Sequence, residues 1–145
     1  MPVESEVLTG DKPFYEKLIM EGMLNKNPEE LIPIVKSWLN APQLINAKGC
    51  TGSFDKSQRA YVVNFRTAPL TFRLDCNADH PMFNSCFVIK NWGRIADAKI
   101  FIDGNKIENE SSIKQGLIRD TDGTYTKIIW VERESSKPVE FKITI

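Results

Sequence analysis

What this sequence has little of narrows its chemistry. Histidine occurs once, at His80, and cysteine three times, at Cys50, Cys76 and Cys86. No two cysteines stand in a CxxC pair, so three thiols and one imidazole make a poor zinc framework, and no metal or cofactor is expected. Net charge is absent too: Lys plus Arg is 19 and Asp plus Glu is 19. The long-range field that draws a protein to nucleic acid or an anionic membrane is therefore missing. No apolar run is long enough to cross a bilayer, so membrane insertion is not expected. Met1-Pro2-Val3-Glu4-Ser5-Glu6 is acidic and has no apolar core of a signal peptide. Either the protein is intracellular or an export signal lies upstream. Internal repeats, low-complexity stretches and flexible linkers are also lacking.

What remains is an ordinary globular composition. The chain has 145 residues, 41% apolar and 26% charged, enough for one domain with a substantial core. Residues 1–10 read as a leader. Asp11 is placed to cap a first short helix whose face carries Phe14, Leu18 and Ile19, ending near Gly22. Asn27-Pro28-Glu29-Glu30 starts a second, with Asn27 as cap and Pro28 in the first turn. Leu31, Ile34, Val35, Trp38 and Leu39 follow at helical spacing. Pro33 removes one backbone bond, and Ala41-Pro42 ends the helix.

From about residue 58 the period changes to two. Tyr61, Val63 and Phe65 alternate with polar residues, as do Leu70, Phe72, Leu74 and Cys76, and Val139, Phe141, Ile143 and Ile145. Such strands have one dry and one wet face. Cys86-Phe87-Val88-Ile89 is apolar on both sides and suits a central strand. Asp122-Gly123 between two strand-like runs is a hairpin signal. The expected fold is mainly β: an antiparallel β-sandwich, jelly-roll or Ig-like, preceded by two short α-helices. Residues 1–44 form the leader and helical lead-in, and residues 45–145 the sandwich.

Each candidate for chemistry has a plainer counterpart. Asp75, Asp79 and His80 could serve a small hydrolase, since a carboxylate orients an imidazole for general-base work. No nucleophile can be tied to them by spacing, and a solvated turn capped by Asp and ended by Pro81 is the simpler reading. Asp120-Thr121-Asp122-Gly123 resembles part of a calcium loop, but its Gly comes at the fourth position rather than the sixth. A Cys76–Cys86 disulfide requires an oxidising compartment, and buried free thiols are the simpler reading. Asn109-Glu110-Ser111 is a formal glycosylation sequon. Trp38 and Trp130 read as core, whereas Trp92, at a strand end before Gly93-Arg94, reads as exposed. Trp92 and Tyr125 offer sugar-stacking rings, with Arg94 and Arg119 as anion forks.

Phe83-Asn84-Ser85-Cys86-Phe87-Val88-Ile89-Lys90-Asn91-Trp92-Gly93 is distinctive, and so is Ala98-Lys99-Ile100-Phe101-Ile102-Asp103-Gly104. With Arg119-Asp120-Thr121-Asp122-Gly123-Thr124, Ile129-Trp130-Val131-Glu132 and Ser136-Lys137-Pro138-Val139, they resemble the C-terminal β-sandwich of large exported bacterial proteins linked to polysaccharide degradation. The likeness covers residues 58–145. It implies a non-catalytic accessory domain of a carbohydrate-processing protein, exported to the periplasm or cell exterior. Its expected partners are an upstream domain of the same polypeptide and a glycan. No catalytic residue comes with the resemblance. An independent carbohydrate-binding module using Trp92, Arg94, Arg119 and Tyr125 is the alternative.

Overall fold

The protein is described from a computed structural model, covering residues 28–108 and 111–145. One helix stands among them, α1 at Pro28–Leu39, with Pro28 as its first residue and Pro33 inside it. Where two short helices were expected ahead of the sheets, the described residues hold one. A proline at the helix start and an apolar stripe at helical spacing carry α1. The reading at Asp11–Gly22, the Asn27 cap and Asn109 of the sequon lie outside the described residues. The chain divides into two compact units, Met1–Ile34 and Val35–Ile145, and the sheets belong wholly to the second.

Twelve strands follow α1. The first sheet takes β1 (Leu44–Lys48), β4 (Leu70–Leu74), β12 (Val139–Thr144), β7 (Lys99–Ile102) and β8 (Asn105–Lys106) in that order. The second takes β2 (Cys50–Asp55), β3 (Ala60–Phe65), β6 (Cys86–Lys90), β10 (Tyr125–Val131) and β9 (Ile113–Arg119). A small third sheet pairs β5 (Met82–Phe83) with β11 (Glu134–Ser135). The sandwich is not purely antiparallel: β3 and β6 run parallel, Tyr61 beside Phe87 and Val63 beside Ile89. Between them the chain crosses to β4 in the other sheet and back. Those two reversals return β6 in the direction of β3.

Alternation decides the core. Tyr61, Val63, Leu70, Phe72, Leu74, Phe87, Ile89, Ile129, Val131, Phe141 and Ile143 are all buried between the sheets. At its centre Phe72, Phe87 and Phe141 touch pairwise, with ring centroids 5.3, 5.4 and 5.1 Å apart. The Tyr61 ring stacks on Phe87 and its hydroxyl donates to the Pro42 carbonyl at 2.6 Å. A buried phenol satisfied in this way gives up none of its packing contribution.

Gly49 joins the two sheets. It separates β1 from β2, has φ +74°, and its carbonyl accepts from the Arg66 and Thr67 amides at 2.9 and 3.0 Å. One edge of the sandwich is therefore closed by continuous chain. At the opposite edge lie β8 and β9, which belong to different sheets.

Candidate functional site

β3 and β6 end, and β10 begins, at the end of the sandwich that holds Gly49. The paired residues Phe65 and Cys50 stand there, as do Tyr125 and Arg119 opposite one another in β10 and β9. The four residues expected to bind ligand all gather at this end. Trp92 donates its amide to the Tyr125 carbonyl at 3.0 Å. The Arg94 guanidinium lies over the Phe65 ring at 4.9 Å and the Trp92 ring at 5.6 Å.

Their exposure differs from the expectation. Trp92 is 1% exposed, packs edge-on against Phe65 at 5.6 Å, and donates Nε1–H to the Ala96 carbonyl at 3.1 Å. The reading of Trp92 as an exposed ring is corrected: the chain after Gly93 turns back and supplies the indole with its acceptor. Arg94 is spent on aromatic faces, Tyr125 is half-buried and Arg119 is exposed. The ring that faces outward is Trp130, half-buried, with Lys114 Nζ 5.5 Å from its centroid. Trp38 is also half-buried, with Arg59 at 4.6 Å.

Two residues of this region were missed in the sequence. Lys127 is 2% exposed, on the inward face between Tyr125 and Ile129, and its Nζ reaches exposed Asp97 at 2.9 Å. Gln115 grips the backbone of Ala98, accepting from its amide at 2.9 Å and donating to its carbonyl at 2.8 Å. These bonds tie the 91–98 loop to β9 and β10 across the open edge. The signal for both was a polar residue at a dry position of a period-two strand. Beside Gln115 lies a shallow cleft of about 140 Å³ among Ala98, Ile100, Lys106, Ile107 and Ile113.

Asp75, Asp79 and His80 lie beyond the far end of β4. The Asn77 side chain accepts from the Asp79 and His80 amides, each at 2.9 Å. His80 Nδ1 is 3.1 Å from the Asn40 carbonyl, and the Asp75 amide donates to the Gln43 carbonyl at 2.9 Å. All three side chains are exposed. The described bonds form a capped turn, with His80 and the carboxylates not bonded to one another. At the β9–β10 hairpin, Asp122 Oδ1 accepts from the Thr124 amide and hydroxyl at 3.0 and 2.7 Å. Those bonds hold the Asp122 carboxyl below the usual carboxylate range. Gly123, at φ +89°, completes the turn. No cluster of three metal-ligating side chains occurs among the described residues, and none of their helices is long and apolar enough to cross a membrane.

Cys50, Cys76 and Cys86 are all free. Burial pushes the Cys76 and Cys86 thiols up to about 11, and burial also raises the Tyr61 phenol, with Cys76 adding to it. Between pH 9 and 11 the unfolded chain sheds thiol protons that the folded chain keeps. Folding stability therefore falls across that window, and these groups leave it level below pH 9. Thermal melts should show a midpoint dropping between pH 9 and 11, less steeply in Cys86→Ala. A midpoint unchanged up to pH 11 would contradict the buried placement of these groups.

No family model matches this chain, and neither a curated protein nor a solved structure matches it.

Proposed function

We propose that this chain is a non-catalytic accessory β-sandwich domain of a larger, exported carbohydrate-processing protein. The observation that carries this reading is the outer face of the second sheet. Val62, Val88 and Ile128 stand side by side in register on β3, β6 and β10, with Trp130 next along β10. Val88 points away from the sandwich core yet is only 8% exposed, and Val62, Ile128 and Trp130 are half-buried. An outer face of valine, isoleucine and tryptophan is suited to packing rather than to hydration. The mechanism is positional: the domain holds an upstream catalytic domain of the same polypeptide, or supplies one wall of its glycan groove. The carbohydrate context and the export come from the sequence resemblance.

A second reading, an independent carbohydrate-binding module, is favoured by the outward-facing Trp130 beside Lys114. Two measurements separate them. Deleting residues 45–145 from the full polypeptide should lower its melting midpoint while changing turnover per folded molecule about twofold at most, well under 1 kcal/mol of barrier. Turnover abolished with the midpoint intact would end the accessory reading. A calorimetric glycan screen on this chain should give no heat. Heat that disappears in Trp130→Ala makes the chain a binding module instead.

A further inference from the structure

The two edges of the second sheet are unlike. β2 is continuous with β1 through Gly49, whereas β9, seven residues long, is an open edge among the described residues. The Asp120 amide donates to the Thr124 carbonyl, and the Glu132 amide to the Ser112 carbonyl. In an antiparallel ladder the bonding residues alternate. The even-numbered residues of β9 therefore bond to β10, and Ile113, Gln115, Leu117 and Arg119 turn their N–H and C=O groups outward. An edge of this kind is a template for another strand.

Two residues of β9, Gly116 and Ile118, lack a reason among the described residues of one copy. Gly116 sits in the middle of the strand, where glycine costs stability. Its φ is not positive, and an added Cβ would meet nothing within 4 Å. Ile118, two residues on and on the same outer face, is 43% exposed. Strand-interior glycine often marks a close approach by another group. A bulky exposed isoleucine and an empty glycine on one strand are self-complementary when the strand meets its own copy antiparallel.

We infer that two copies of this chain pair through β9 about a two-fold axis at Leu117, joining their second sheets into one. In that register Ile118 of each copy lies opposite Gly116 of the other. Lys114 lies opposite Asp120, and Arg119 opposite Gln115, so each copy contributes a lysine–aspartate pair and no like charges meet. Asp120 is held for this, since its carboxylate accepts from the Thr126 hydroxyl at 2.7 Å. Centring the axis on Gly116 instead puts Lys114 opposite Ile118 and Arg119 opposite Ile113, leaving every charge unmatched. The basic residues that would protect the edge against other strands thus select one register. The interface is isologous and closes at two copies. This inference is independent of the accessory-domain reading.

Sedimentation equilibrium over a wide concentration range is the test. The chain should move from 16.5 kDa at high dilution to twice that mass, and salt should weaken the association. Gly116→Val should abolish the dimer while leaving the monomer's melting midpoint unchanged or higher, because the added side chain has space and suits a strand. Lys114→Glu should abolish it by facing Asp120 with a like charge. A chain that stays at 16.5 kDa throughout overturns the inference, and so does a dimer that survives either substitution.

Discussion

Gly49→Ala should cost more than about 3 kcal/mol, a value outside the ordinary range for a single substitution. A Cβ at Gly49 would run into the Thr67 carbonyl oxygen and stand 2.6 Å from that of Pro69. Both obstacles are backbone, so no rotamer change relieves the clash. Nor can the peptide rotate away, because the Gly49 carbonyl already accepts two amides from the 66–67 segment. The positive φ adds a penalty of about 1 kcal/mol for any residue with a Cβ. The joint between the two sheets is therefore where a single methyl group does most damage. Gly104→Ala is the internal control. Gly104 has φ +85° but nothing within 4 Å of an added Cβ, so it should show the backbone penalty alone, about 1 kcal/mol. Equilibrium urea unfolding of both variants separates the two terms. Equal costs at the two glycines would mean that the corner has room to open, and the close approach would not be what fixes it.

That corner shows why part of this architecture was unreadable in advance. The alternating runs of β3, β4 and β12 declare their dry faces directly, and the structure buries Tyr61, Val63, Leu70, Phe72, Leu74, Phe141 and Ile143 accordingly. The hairpin at Asp122-Gly123 is equally local, since both strands and the turn lie within one short segment. β1 and β2 were not legible. Leu-Ile-Asn-Ala-Lys and Cys-Thr-Gly-Ser-Phe-Asp are small, polar and partly exposed edge strands, and their pairing depends on β4 and β3 rather than on their own pattern. The parallel contact of β3 with β6 is set by two sheet crossings, which no local period encodes.

The candidate site failed in the same manner. In β10 Ile128 and Trp130 alternate with Ile129 and Val131, so both faces are apolar and the pattern does not say which is inside. Lys127 obscures the phase further, because it is a dry-side residue whose ammonium reaches out to exposed Asp97. Asp75, Asp79 and His80 were legible as a turn, although Asn77 rather than an aspartate caps it. Trp92, Arg94, Tyr125 and Arg119 stand at one end of the sandwich, but Trp92 is buried rather than exposed, and its acceptor comes from a loop whose course the sequence does not reveal.

Trp92→Ala should then register as a folding defect of about 3–5 kcal/mol, the usual loss for a buried tryptophan truncated to alanine. The indole fills the end of the core against Phe65, carries Arg94 on its flank and satisfies the Ala96 carbonyl. Truncation removes all three contacts and leaves a cavity under the 91–98 loop, which Gln115 and Lys127 hold from the other side. Trp92→Phe keeps most of the volume and loses the N–H donor, so its cost should be smaller, about 1–2 kcal/mol. Denaturant unfolding measures both, and Trp38 and Trp130 remain as fluorescent reporters. A Trp92→Ala protein within about 1 kcal/mol of the parent would mean that the ring contributes little packing, contrary to its burial. The expected result also decides how a glycan screen must be controlled. Binding lost in Trp92→Ala would reflect unfolding as readily as a missing contact. Arg119→Ala and Trp130→Ala, whose side chains reach solvent, are the substitutions that test recognition while the core stays intact.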